Sequence, residues 1–467
     1  MISYLQYPYA VLALVTLGLL FWRPIFGLAL LMAIFPMDPW EPRLPVPGIN
    51  FETILIGSAL AVTVLRFGAR LPPLRYSGPV VAFVGAMFIA FAVSIPWALG
   101  LRGPEGAPAI WVIFKAWKSI TFTAFLFFSV YWWCRTPEDR RRMLQGLCIA
   151  LFLSSIAGFL DLVIDFNPYG NVGRATGFVA DPNAMSEAIG SMMFVPLFVL
   201  MSGREFSMPW RVFAAGSYAL SALLILLALS RGNWLAFVAA HAVFLLLVNR
   251  ALLVAGIGAF VIVVTIGFPF LPTSVRERIE GTTTTGRVVY QVPLAVGLES
   301  SAASRVVFAR IGLDMFKRSP VWGHGLNAFY FRTREFGAKY GFLEPKDPHN
   351  IVVKLASEAG LIGLGALAWI IWAVFRCGRR LWRSDSQEYL LGAVLLGTGT
   401  YLLFASFSAD SFLYTTQISA QFWVLYALTA RAYVERGATA AAPATQPVLA
   451  GRWRRFAQRT PVAVSQP

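Results

Sequence analysis

The sequence predicts an all-α polytopic membrane protein of about twelve transmembrane helices, or thirteen, with one long, partly helical loop on the outer side. Three observations carry that expectation. Apolar runs of about 20 residues, the length that crosses a hydrocarbon layer, recur from end to end. Only 13% of the 467 residues are charged and 57% are hydrophobic, whereas soluble domains are about a quarter charged. One polar stretch, 272–350, is too long for a simple connector between spans.

Taken in order, apolar runs at 9–22 and 25–37 flank an Arg23-Pro24 hinge. They form either a hairpin or one broken element, which leaves the count at twelve or thirteen. The opening segment has no basic start and no small-residue cleavage site, so it reads as a retained span and not a signal peptide. Runs follow at 51–67, 78–101, 109–133, 144–165, 184–201, 212–229, 233–248 and 252–271, then at 351–375, 389–407 and 412–430. The chain therefore divides into N-terminal transmembrane helices (1–271), the long outer loop (272–350), C-terminal transmembrane helices (351–436) and a basic tail (437–467). The tail is rich in Ala, Pro and Thr and cannot bury a core, so it is expected to be disordered. Its Arg452-Trp453-Arg454-Arg455 patch suits anionic lipid headgroups.

The formal net charge is +16, with 39 Lys and Arg against 23 Asp and Glu. Its placement argues against nucleic acid as a partner. Arg66, Arg70 and Arg75 share a face with Arg135, Arg140, Arg141 and Arg142. Arg204, Arg211, Arg250, Arg376, Arg379, Arg380 and Arg383 fall on that same side by alternation. By the positive-inside rule this face is cytoplasmic. Segments 38–50, 102–108 and 167–183, the Ser230-Arg231-Gly232 turn and the long loop then lie outside. The cysteines Cys134, Cys148 and Cys377 sit in or beside apolar runs without pair spacing, as small buried hydrophobes do.

The outer face collects the residues that could carry chemistry. Arg231 lies between two apolar helices with no cytoplasmic role, and rim charges are functional more often than not; the bland alternative is a snorkelling arginine. Arg174 lies in Gly173-Arg174-Ala175-Thr176-Gly177, where glycines let a backbone approach a ligand. The alternative is a loop arginine paired to Asp165 or Asp181. Asp181-Pro182-Asn183 reads as a cap on the next helix. Arg305 is expected to open a helix-like stretch over 306–316, apolar on one face and ended by Arg318-Ser319-Pro320, where its charge and the helix N-terminus would both favour a phosphate. A glycine-rich turn with His324 and Asn327 follows. His349 stands between Pro348 and Asn350 before the next apolar helix, and imidazole suits proton transfer near neutral pH. Three outer arginines could hold a diphosphate beside it.

Weaker candidates are His324, Asn327 and Asn350 as further substrate contacts, together with Lys115 and Lys118, which lie in the outer half of a span. The lysines either line a cavity or reach the surface, with Asp161 and Asp165 as possible partners. His241 reads as a helix-packing hydrogen-bonder, and Glu358 as a partner of Lys354 or an arginine. There is no HExxH, CxxC pair, P-loop, GxSxG or convincing acidic pair, so neither a metal site nor a cofactor is expected.

Four stretches together resemble the O-antigen ligase and O-antigen polymerase superfamily of bacterial inner-membrane glycosyltransferases. They are Gly173-Arg174-Ala175-Thr176-Gly177 through Asn183; Leu229-Ser230-Arg231-Gly232; Ser304-Arg305 with 320–327; and Pro348-His349-Asn350 through Glu358-Ala359-Gly360. The resemblance implies a multi-pass protein of the Gram-negative inner membrane with a periplasm-facing site and about twelve spans. It implies an undecaprenyl-diphosphate-linked glycan donor and, for the ligases, a lipid A core oligosaccharide acceptor, with membrane lipids as surroundings. His349 would be the general base of a metal-independent inverting transfer, and Arg174, Arg231 and Arg305 would bind the diphosphate. The alternatives are an O-antigen polymerase, a protein O-oligosaccharyltransferase using the same donor, or, in a different class, a flippase or exporter of lipid-linked glycans. A flippase would carry basic residues inside several spans. Apart from Lys115 and Lys118, the unexplained cations here keep to one face.

Overall fold

The computed structural model describes residues 2–40, 49–103, 106–164, 174–179, 181–270, 273–280, 300–384 and 388–440. The basic tail beyond residue 440, Asp165 and much of the 167–183 loop lie outside that set. The described chain is helical, with no strand beyond an isolated bridge between Arg102 and Pro108.

The helices are α1 (Ile2–Trp22), α2 (Pro24–Ile34), α3 (Phe51–Phe67), α4 (Leu74–Ala98), α5 (Ala109–Trp133) and α6 (Pro137–Ile164). Next come α7 (Pro182–Met192), α8 (Phe194–Met201), α9 (Met208–Leu227), α10 (Arg231–Val248), α11 (Arg250–Thr265) and α12 (Thr273–Glu280). The last five are α13 (Ser300–Arg318), α14 (Ala328–Gly337), α15 (Ile351–Trp382), α16 (Tyr389–Ala405) and α17 (Thr416–Ala440). Seven stretches are long and apolar enough to cross a membrane: α4, α5, α6, α7 with α8, α9, α10 and α15. Four more apolar helices are shorter, including 24–37 and Tyr389–Ala405. Arg23-Pro24 does separate two helices, because proline fits the first helical turn and nothing before it.

Polar contacts sort the loops to two ends of the bundle. At one end Arg140 donates from Nε to Glu388 (2.6 Å) and from Nη1 to Glu435 (2.7 Å), and Arg141 donates to the Glu205 carbonyl (2.6 Å). Trp382 Nε1 bonds the Leu247 carbonyl there, and Trp132 Nε1 the Arg70 carbonyl, both at 2.9 Å. This end gathers the arginine-rich turns. The start of α15 and the α9–α10 and α16–α17 turns lie at the other end.

A satellite core covers that second end. Val307, Phe308, Ile311 and Met315 recur at helical spacing on α13 and pack with Phe329 and Phe336 of α14 and with Phe342. Gly312 lets α13 lie against the Val353 side chain of α15. The amphipathic stretch read from the sequence is thus a packing helix. It extends back at least to Ser300, so Arg305 lies within it and, contrary to the expectation from the sequence, does not open it.

Candidate functional site

The site is organised around a segment that the sequence reading passed over, 406–415, between α16 and α17. Asn350 accepts from the amides of Val352 (3.0 Å) and Val353 (3.1 Å), which makes it the N-cap of α15. Its Nδ2 donates to the Phe407 carbonyl at 3.4 Å, and the Ile351 amide to the Ser406 carbonyl at 3.1 Å. His349 precedes this cap with a left-handed φ of 51°. Its side chain is 29% exposed, so it is tethered but reachable. Nδ1 faces Asp410 Oδ1 at 3.9 Å, an ion-pair distance that a modest movement would turn into a hydrogen bond. The other Asp410 oxygen accepts from Lys354 Nζ at 3.1 Å, and Lys354 also reaches Asp347 at 2.5 Å.

The arginines meet the same segment. Arg305 Nη2 donates to the Ser408 carbonyl at 3.3 Å. Arg231 is the first residue of α10, and a Cβ on its neighbour Gly232 would collide with Ser408, so the start of α10 lies directly against this segment. Asn233 fixes the rotation of that first turn. Its Nδ2 donates to Ser230 Oγ (2.9 Å) and the Asn183 carbonyl (3.2 Å), and its Oδ1 accepts from Tyr401 (2.9 Å). Arg174 donates to the Ala228 carbonyl through Nε (3.0 Å) and Nη2 (2.8 Å), satisfying the end of α9 just before Arg231. Asp181 caps α7 through the amides of Asn183 and Ala184, as the sequence predicts. Buried Glu187 of α7 lies beside Asp410 and Ser411.

Beneath this, α15 is broken. Gly360 adopts φ 60°, ψ −149°, a conformation essentially confined to glycine. The backbone groups freed by the break are taken by the turn between α13 and α14. The amides of His324 and Gly325 donate to the carbonyls of Ser357 and Glu358 at 2.9 Å, and Leu361 donates to the Pro320 carbonyl at 2.8 Å. A Cβ on Gly360 would stand 2.5 Å from the Val321 carbonyl oxygen, so the close approach needs glycine. Glu358, fully buried, accepts from Tyr414 (3.1 Å) and from the backbone of Asn327, which joins the turn to the 406–415 segment. The hydrogen-bonded partners of Lys354 are aspartates, so pairing with Glu358 is not its main role.

Of the weaker candidates, His324 is engaged internally. Nε2 donates to the Met315 carbonyl and Nδ1 accepts from Arg332, both at 2.9 Å. Burial, and after it the positive charges of Arg332 and Arg318, hold this imidazole below its ordinary range against the pull of Met315. Asn327 precedes α14 with a left-handed φ of 58° and makes no side-chain capping bond. Lys115 is exposed. Lys118 is buried and donates to Asn50 (3.2 Å) and Thr53 (2.7 Å), tying α5 to the start of α3. Asp161, suggested as its partner, accepts from the backbone and hydroxyl of Thr176 and so holds the Arg174 segment. His241 bonds the Phe237 carbonyl one turn back, a helix-packing role.

A family model described as O-antigen ligase matches residues 216–368. Over that stretch the chain is similar to the O-antigen ligase family. The matched stretch runs from within α9 to just beyond the break in α15, and so holds Arg231, Arg305, His324, His349, Asn350, Glu358 and Gly360. Arg174 and Asp410 lie outside the matched residues and join the family segment only through the fold. Comparison with curated proteins gives no match.

The sequence reading missed Asp410, Asp347 and Tyr414, and named Lys354 only as a partner of Glu358. One signal was available: Ser406-Phe407-Ser408-Ala409-Asp410-Ser411 places an acid in a short turn that alternation assigns to the same face as His349.

Proposed function

We propose that this protein is a glycosyltransferase that moves a glycan from undecaprenyl diphosphate to a sugar of a lipid A core oligosaccharide, at the periplasmic face of the inner membrane. The observation that supports this most is the approach of one reachable imidazole, backed by a carboxylate, of the Arg305 guanidinium and of the Arg231-bearing start of α10 to a single segment, 406–415.

In this reading Asp410 faces Nδ1 of His349 and favours the tautomer that keeps its proton there, leaving Nε2 to act as base. Nε2 takes the proton of the acceptor hydroxyl as that oxygen bonds to the anomeric carbon of the donor. The bond from that carbon to the diphosphate oxygen breaks, its electron pair leaves with undecaprenyl diphosphate, and the configuration inverts. Arg231, Arg305 and Arg174 supply guanidinium groups where that negative charge grows.

Purified protein given a lipid-diphosphate glycan and lipid A core is expected to lengthen the core with a chelator present. Growth of a second donor molecule in place of the core would point to a polymerase. His349→Ala is expected to lower transfer by about 10²- to 10⁴-fold while donor binding persists; transfer at the parent rate would remove the general-base role.

A further inference from the structure

At the arginine-rich end, helices α4 and α15 line a half-open cavity of about 320 Å³, far from the site around His349. Three guanidinium groups line it: Arg75 from the first turn of α4, and Arg376 and Arg380 one turn apart on α15. Trp369, Trp372, Arg376 and Arg380 follow at spacings of three and four, so the helix presents them on one face. Gly78 of α4 lets the Trp369 indole lie close, since a Cβ there would stand 3.0 Å from the ring. Arg376 lies over Trp372 at 4.6 Å and Arg75 over Tyr76 at 5.0 Å.

None of the three arginines has a carboxylate partner among the described residues. Arg140 and Arg431, at the same end, are paired to glutamates. Three like charges converging on one cavity repel each other unless an anion joins them, and guanidinium forks match phosphate oxygens. The flank is apolar and open: Trp369 is 42% exposed, Trp372 51% and Leu74 71%. A free phosphate has no use for that flank, whereas a lipid has. Basic pockets between helices at the positive end of a membrane protein also face the leaflet where anionic headgroups collect.

We propose that this cavity binds one anionic phospholipid, with Arg75, Arg376 and Arg380 on its phosphate and Trp369 and Trp372 along its first chain carbons. The test uses the full chain, delipidated in neutral detergent and offered phosphatidylglycerol and phosphatidylcholine in equal amounts. Retention is read by native mass spectrometry. The parent protein is expected to keep phosphatidylglycerol about tenfold over phosphatidylcholine, the effect of one or two charge-assisted contacts. Arg376→Gln with Arg380→Gln should erase that preference. Arg379→Gln removes the same charge from a residue that does not line the cavity, and should preserve it. Equal retention of the two lipids by the parent overturns the proposal, as does an equal loss in Arg379→Gln. A rise in melting temperature with inorganic phosphate alone that matches the rise with phosphatidylglycerol also overturns it, in favour of a free-anion site. If the double variant does not fold, Arg376→Lys keeps the charge without the fork; its preference should fall several-fold, and an unchanged preference counts against the site.

Discussion

His349 owes its place to the residue after it. Asn350 takes the cap of α15, which leaves the imidazole on a left-handed residue at the rim and not folded into the helix. Asp410 then supplies what a lone histidine lacks, a fixed charge on one side of the ring. Asp410→Asn keeps the volume and removes the charge. It is expected to lower kcat about 10- to 100-fold, with a smaller change in donor KM. A purely structural role for Asp410 would instead change donor KM as much as kcat. His324 makes the opposite use of the same chemistry. It is half-buried as the neutral ring, with Nδ1 accepting from Arg332, and its folded pKa lies below the unfolded value of about 6.5. The unfolded chain binds the proton more tightly, so stability is complete above that value and is lost as pH falls below it. Melting temperature is expected to drop on acidification, and His324→Gln, whose amide can make both contacts without titrating, should flatten that dependence. An equally steep curve in the variant would assign the effect to other groups.

At the scale of elements, the break in α15 decides the shape of the site. The apolar period runs straight through Gly360, so the sequence reads as one span over 351–375. The observed helix carries a turn from 320–327 bonded into its middle. Such a break is tolerable inside an apolar bundle only because distant backbone groups replace the lost helical bonds. Gly360→Ala should therefore cost at least about 1–3 kcal/mol from backbone conformation, with a further cost from collision with the Val321 carbonyl. The check is thermal melting followed by size-exclusion fluorescence, and an unaltered melting temperature would mean the break can heal. Much of this is invisible in sequence for one reason: glycines at 323, 325 and 360 are common punctuation. Only their meeting shows that each is there for close backbone approach.

Across the whole molecule, charge sorts the two ends. Arg140 of α6 is nearly buried and joins Glu388, before α16, to Glu435 near the end of α17. Removing it leaves two carboxylates facing each other in a poorly solvated place. Arg140→Ala is expected to destabilise the bundle by about 3 kcal/mol, seen as lower yield and melting temperature, and Glu388→Gln with Glu435→Gln in the same background should recover part of it. No recovery would mean the arginine acts mainly through its packing. The turns that alternation assigns to the positive face do meet at this end, and those with His349, Arg231 and Arg305 meet at the other.

The sequence by itself determined that the chain is helical and apolar, which turns are basic, and which arginines and histidine deserve notice. Hydropathy, proline positions and charge are local properties, and a lipid phase reads them one segment at a time. Tertiary structure alone decided that Asp410 stands beside His349, that Lys354 and Glu358 hold the 406–415 segment, and that α15 is interrupted. Those contacts join residues about 50 positions apart or more, or depend on the rotation of one helix against another. In an apolar medium that rotation is set by side-chain packing and buried hydrogen bonds, which no single segment encodes.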